Sequence, residues 1–549
     1  MDAAAKHNVM ALLDGHLTRK PEAVALRWVE AEVAAAHDGL APLEHRSITW
    51  GELDVSVRRA AAGLADRGFG AGDRALIFVP MSVDLYVAMF AVFRLGGVAV
   101  FLDSFARQHQ LAACAELAEP KAYFGNQEAH GVRMMLSDVL GRIPIQIVTG
   151  GLDAPGAVRL DEVEAVGRAV AEVGGPPIAA VTRQTTALVT FTTGSSGAPK
   201  GANRTHGFLF AQHRALDRHV SYETGDADLP AFPIFLLNNM AAGIITVIPA
   251  IDLARPADTD AARIVSQLRH ERLPCATFSP ALLGSWARHA VATDQPLSDL
   301  RRVLTGGAPV GPALVRDFHA AAPQAELLIL YGSTEAEPIA HITGHDSLAH
   351  VSGAEGVCVG EVVPELRRRL VRPTKGSIVL DERGWAAWDV DDGEAGELLV
   401  AGEHVCREYW RNEEAVARAK VMDGATVWHR TGDVGRIDER GRLWLIGRVH
   451  NTVLRAGRHH FPVAPEEVLR TVEGLRQGAY VGLGDDRLGE RACAAYAADH
   501  DLDEAVREAL DGAGVVYDEV RRVERVPMDP RHHSKVDYDR LRDLLACVP

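Results

Sequence analysis

The chain is poor in aromatic residues, at 6%, so aliphatic side chains must supply most of the packing. Its six cysteines (Cys114, Cys275, Cys358, Cys406, Cys493, Cys547) are scattered, and no two stand at CxxC spacing. That excludes a metal knuckle and gives no sign of a disulfide framework; free thiols in a reducing cytoplasm are expected. Positive charge is also scarce. With 58 Lys and Arg against 74 Asp and Glu, the formal charge is −16 at pH 7, which argues against broad binding to a nucleic-acid backbone. No apolar run approaches the ~20 residues that span a bilayer. The longest candidate, residues 240–251, is broken by Gly243 and Pro249 and reads as buried α/β structure. The first dozen residues lack the basic start and long apolar core of a signal peptide.

What is present is ample apolar content, 47% of 549 residues, too long a chain for one core; at least two domains are expected. After Ser47 the pattern alternates. Thr49 and Glu52 form a capping-box pair, Leu53, Val57, Ala61 and Leu64 follow at helical spacing, and Gly68 marks a stop. Residues 74–79 read as a strand, 82–95 as a helix and 98–102 as the next strand. This is the signature of a parallel sheet with helices on its faces. The pattern returns at 187–192, 302–304 and 327–330, each strand ending in a loop of small residues. Ligands bind at such carboxyl ends, and loops gathered on one edge would make a single cleft. From about 351 to 445 short strands with Gly and Asp turns suggest a small barrel or distorted sheet, 447–451 a junction, and the remainder a small α+β unit.

The densest chemical signal is Thr190-Phe191-Thr192-Thr193-Gly194-Ser195-Ser196-Gly197-Ala198-Pro199-Lys200-Gly201. A strand feeding a Gly- and hydroxyl-rich loop presents N–H groups and hydroxyls to a polyanion, with Lys200 as a point charge. A Walker A loop requires Lys between Gly and Ser or Thr; Pro199 and Gly201 flank Lys200 instead. Taken alone, the stretch also fits a Gly/Ser surface loop.

Further segments accompany it: Gly306-Gly307-Ala308-Pro309, Tyr331-Gly332-Ser333-Thr334-Glu335, Trp428-His429-Arg430-Thr431-Gly432-Asp433 with Gly447-Arg448, and Asp529-Pro530-Arg531-His532-His533-Ser534-Lys535-Val536. In this order the motifs resemble those of the adenylate-forming enzymes, the superfamily of acyl-CoA synthetases, luciferases and peptide-synthetase adenylation domains. The resemblance implies an α/β fold: a large N-terminal part (1–447) of two layered α/β subdomains plus a small β-barrel, and a mobile α+β lid (448–549) carrying Lys535. It implies ATP and Mg²⁺, with Thr192, Thr193, Gly194, Ser195, Ser196, Gly197 and Lys200 at the phosphates. Gly306, Gly307, Ala308 and Pro309 would line the adenine and acyl sites, and Tyr331, Gly332 and Ser333 the adenine. Thr334 would contact the α-phosphate, Glu335 the metal, Asp433 the ribose hydroxyls and Arg448 ribose or phosphate. Lys535 would neutralise the carboxylate and α-phosphate. Taken singly, Asp433 also fits a turn residue, Glu335 an exposed acid, and Arg448 and Lys535 solvated cations.

The chain departs from the superfamily pattern where an aromatic-His pair is common: Phe232-Pro233-Ile234-Phe235-Leu236-Leu237-Asn238-Asn239-Met240 holds no His. Of that segment, Phe235, Asn238, Asn239 and Met240 are the candidate acyl-pocket residues by resemblance. Val449-His450-Asn451 lacks the common hinge Lys-Asp, and Ser534 replaces Gly before Lys535. With Gly356-Val357-Cys358-Val359-Gly360 and the Arg-His-His-Ser-Lys ending, these features are most similar to the β-lactone synthetases of olefin biosynthesis and related fatty-acid–CoA ligases. The expected chemistry is activation of a small carboxylic acid as acyl-AMP, then closure of a β-hydroxy acid to a β-lactone. The alternatives are transfer to the thiol of CoA or a carrier protein, or to another small nucleophile. No nucleic acid and no membrane span are expected, and the chain is read as monomer or homodimer.

Overall fold

The structure, a computed structural model, describes residues 5–36, 42–102, 108–192, 199–253, 258–350, 356–528 and 536–546. Three sheets carry these residues. In the seven-stranded sheet, Arg74–Phe78, Val98–Leu102, Ala122–Gly125, Ile145–Val148 and Thr186–Thr192 run parallel, and Lys200–Thr205 closes one edge antiparallel to Thr186–Thr192. The helix Trp50–Asp66 begins where the sequence places it. The Thr49 side chain accepts from the Glu52 N–H and Glu52 accepts from the Thr49 N–H, closing the capping box. Its face of Leu53, Val57, Ala61 and Leu64 is buried, and each buried Leu or Val there contributes about 2 kcal/mol. Ser82 caps Val83–Arg94 in the same way through the Leu85 N–H.

The fourteen-stranded sheet has a parallel centre of Ile245–Val247, Ala227–Pro230, Cys275–Phe278, Arg302–Gly306 and Glu326–Ser333. Glu326–Ser333 is the turning point: parallel to Arg302–Gly306 on one side, antiparallel to Ala336–Thr343 on the other. The short strands expected between 351 and 445 continue from there as an antiparallel wing, Val357–Val362, Arg442–Arg448, Thr426–Ile437, Gly396–Ala401 and Arg367–Val371. Register shifts interrupt several of these pairings, and such bulges bend and twist a sheet.

After Arg448 a single turn, Val449–Asn451, leads into strands that pair only among themselves in the five-stranded sheet. The helices Val463–Arg470, Asp503–Gly512 and Tyr538–Ala546 bury their apolar faces on it. This is the α+β unit expected from the sequence. Among the described residues no helix is long and apolar enough to cross a membrane.

Candidate active site

Arg302–Gly306 and Glu326–Ser333 are paired neighbours, so the loops that follow them leave the sheet side by side at its carboxyl end. The close approach of these strands explains Gly306: a Cβ there would lie 2.5 Å from the Leu330 carbonyl oxygen. Gly307, at φ +81°, faces open space. Gly306 thus serves the sheet, while Gly307 and Pro309 are exposed to solvent.

Tyr331 lies two residues before the end of its strand, with the side chain directed at the antiparallel wing. Its hydroxyl donates to Asp433 Oδ2 at 2.7 Å, and Arg448 Nε meets Asp433 Oδ1 at 2.7 Å. Asp433 and Arg448 face each other across the ladder of Thr426–Ile437 and Arg442–Arg448. Gly432, at φ +72°, turns the chain before Asp433. The Thr431 hydroxyl donates to the Leu398 carbonyl and accepts from the Asp433 N–H at 3.1 Å. Burial and the Asp433 charge push the Tyr331 hydroxyl well above its ordinary range. Asp433 raises the Arg448 guanidinium. With 48% of its side chain exposed, Arg448 adds little stability through this pair. Each carboxylate oxygen carries two lone pairs, so Asp433 keeps capacity for two further donors.

Glu335 lies in the turn between Glu326–Ser333 and Ala336–Thr343. Its carbonyl accepts from the Cys406 N–H at 2.7 Å, and its Oε1 accepts from the Tyr409 hydroxyl at 2.7 Å. Burial raises its carboxyl, but His429, the Tyr409 hydroxyl and Lys420 outweigh burial and hold it down at about 2. Burial and Lys420 lower His429 to about 3, so at neutral pH the imidazole is uncharged and the positive charge near Glu335 is that of Lys420. Behind Thr334, Arg204 donates to its carbonyl at 3.1 Å. Sequence reasoning missed Arg204, Tyr409 and Lys420 and gave His429 no role. Lys420 stands among other charged residues, Arg418 and Asp423, and His429 adjoins Arg430, so no local pattern singles them out and no spacing rule pairs them.

The Gly/Ser loop belongs to the other sheet. Thr192 and Lys200 are register partners at its base, while Thr193, Gly194, Ser195, Ser196 and Gly197 lie outside the described residues, as does Lys535. The cleft is therefore not one edge of one sheet. The segment after Val405 stitches the two sheets together: Ala202 bridges Tyr409, the Trp410 N–H donates to the Gly201 carbonyl at 2.7 Å, and Asn203 Nδ2 donates to Glu408 Oε1 at 2.6 Å. Tyr409 hence touches both the Lys200–Thr205 strand and Glu335.

Phe235, Asn238, Asn239 and Met240 lie on the helix Pro233–Ala242; Phe235, Asn238 and Asn239 fall on one side at i, i+3 and i+4, and Met240, five positions on, turns away from Phe235 by about 140°. Phe235 packs with Leu304 and Leu330, in the strands Arg302–Gly306 and Glu326–Ser333. Asn238 Oδ1 meets His213 Nδ1 at 2.9 Å on the helix His206–Val220. Asn239 Nδ2 is spent on Asp228 Oδ2 at 2.6 Å, and Met240 enters the main core. The structure brings only Phe235 beneath the cleft.

The model of AMP-binding enzymes matches residues 13–410. The chain belongs to this family. It is 32% identical over 97% of its length, and 97% of the relative's, to the olefin β-lactone synthetase of Stenotrophomonas maltophilia. It is 26% identical over 94% of its length, and 91% of the relative's, to 4-coumarate–CoA ligase 2 of Oryza sativa. The amide bond synthetase McbA of Marinactinospora thermotolerans shares the fold, with a TM-score of 0.78, 23% identity and coverage of 98% and 99% of the two chains. The protein is thus an AMP-forming, carboxylate-activating enzyme that uses ATP.

Among the described residues no three His, Cys, Asp or Glu side chains converge to hold an ion; both oxygens of Asp433 are engaged by Tyr331 and Arg448, and Glu335 contributes one ionised carboxylate. A lone hard carboxylate suits Mg²⁺, which keeps several waters and takes its remaining ligands from substrate phosphates.

Proposed function

We propose that the enzyme joins a β-hydroxy carboxylic acid to AMP and then closes it to a β-lactone. The observation that carries this reading is the full-length likeness to the Stenotrophomonas synthetase, together with the missing pocket His and the unusual junction Val449-His450-Asn451. In the first step a carboxylate oxygen attacks the α-phosphorus of ATP and pyrophosphate leaves. The acid is already ionised at neutral pH, so no base is needed and the barrier is repulsion between anions. The Tyr331 ring stacks on adenine, and Asp433 accepts from the ribose hydroxyls while Tyr331 and Arg448 hold its orientation. Glu335 holds Mg²⁺, which when bound supplies charge neutralisation at the phosphates. Thr334, Thr192, Thr193 and the Gly194–Gly197 loop donate to phosphate oxygens, with Lys200 adding charge. Phe235 shapes the acyl side.

In the second step the β-hydroxyl oxygen attacks the mixed-anhydride carbonyl. The C–O bond of the lactone forms, the bond to AMP breaks, and the hydroxyl proton is released. Intramolecular attack gains from proximity. Residues 448–549 act as a lid that brings Lys535 to the carboxylate and α-phosphate and turns about Val449–Asn451. The likeness to 4-coumarate–CoA ligase supports a second reading, in which a CoA or carrier-protein thiol takes the acyl group. Product analysis with ATP and acids with and without a β-hydroxyl, in the presence and absence of CoA, separates the two. A lactone formed without thiol supports the first; acyl-AMP consumed only when CoA is added sinks it.

A further inference from the structure

Lys420 is buried, at 4% exposure, and makes no ion pair within bonding distance among the described residues. Its ammonium donates to the Cys406 carbonyl and to His429 Nδ1 at 3.1 Å, and lies 5.2 Å from the centre of the Tyr409 ring. An ammonium has no lone pair, so in this 3.1 Å contact Nδ1 of His429 accepts; the Ala419 carbonyl lies further from the same nitrogen, at 3.4 Å. Tyr409 turns its hydroxyl to Glu335 Oε1 and its ring face to Lys420. Burial lowers the Lys420 ammonium, and the carboxylate that opposes this is Glu335. A buried charge without a partner is strongly destabilising, and here the Tyr409 ring stands between the ammonium and the carboxylate.

We propose that Tyr409, Lys420 and His429 are positioning residues for Glu335, with Lys420 the fixed counter-charge of the carboxylate when no divalent cation is bound. Tyr409 holds Oε1, which leaves Oε2 for the cation. The inference rests on the assignment of Glu335 to Mg²⁺. Groups that orient a metal ligand typically change metal affinity by about 10- to 100-fold when removed.

The test uses the full chain, Mg²⁺ and the non-cleavable analogue α,β-methylene-ATP. Tyr409→Phe should raise the Mg²⁺ concentration for half-saturation about tenfold and leave AMP binding in EDTA within about twofold. Lys420→Met should lower the melting temperature in EDTA, and saturating Mg²⁺ with the analogue should recover most of the difference, because the metal replaces the lost charge. An equal deficit with and without Mg²⁺, or an unchanged half-saturation for Tyr409→Phe, overturns the proposal. If Lys420→Met does not fold, the Tyr409→Phe titration decides alone. Failure of the wild-type chain to bind AMP in EDTA would instead sink the nucleotide site itself, and Mg²⁺-independent analogue binding by wild type would sink the metal assignment.

Discussion

The Tyr331 hydroxyl donates to Asp433 Oδ2 at 2.7 Å across 102 residues of sequence, so an aromatic residue near the end of one strand also orients the acid of another. Replacing Tyr331 by Phe keeps the ring and removes the donor. A hydrogen bond to a charged group contributes about 1.5–3 kcal/mol. AMP affinity measured by calorimetry should therefore fall about tenfold or more, whereas Tyr331→Leu, which also loses the ring, should fall further. Equal affinities for the Phe variant and wild type would remove the hydroxyl from the site.

Glu335 remains ionised far below neutral pH, since its carboxyl is held at about 2. Loss of pyrophosphate release on acidification to pH 5 should therefore not come from this residue. Glu335→Gln should abolish the Mg²⁺ dependence of ATP binding, with AMP binding in EDTA retained; retention of the metal dependence would assign the metal elsewhere.

Lys535→Ala should depress pyrophosphate exchange by about two orders of magnitude, the scale of a lost charge-stabilising donor. Consumption of preformed acyl-AMP by the same variant should fall far less. Equal losses in both assays would refute the assignment to the adenylation step.

Arg430 and Glu397 form a buried pair, 7% and 1% exposed, with the guanidinium also donating to the Thr374 carbonyl at 2.6 Å. The pair joins the strand that carries Asp433 to its neighbour Gly396–Ala401. Glu397→Ala leaves the guanidinium buried without its partner and should cost about 3–5 kcal/mol, read as a lower urea midpoint for the antiparallel wing.

Glu466 accepts from the Tyr538 hydroxyl at 2.6 Å and so ties the helix Tyr538–Ala546 to Val463–Arg470. Burial pushes its carboxyl from 4.5 up to about 7. Between those values the folded chain keeps a proton that the unfolded chain releases, so this group's share of stability falls as pH rises through the window and stays lost above it. Glu466→Gln should be neutral at pH 4 and stabilising by about 3 kcal/mol at pH 8. A melting difference that does not change between these pH values would count against the raised carboxyl.

Local order was legible in the sequence because its causes are contiguous. The Thr49–Glu52 box, the Leu53–Leu64 spacing and the run of residues 98–102 each place an element within a residue or two of Trp50–Asp66 and Val98–Leu102. The motifs that mark the family are likewise short stretches, and their order alone points to adenylation. Tertiary structure decided which sheet each motif occupies and what stands behind it. It put the strands that flank the Gly/Ser loop and Glu335 on different sheets, joined those sheets through Tyr409, gave Phe235 and Asn239 different partners, and set Lys420 behind the carboxylate. Helical period and caps act between neighbours along the chain. Contacts such as Tyr409 with Glu335 join residues far apart in sequence and exist only once two cores have packed against each other.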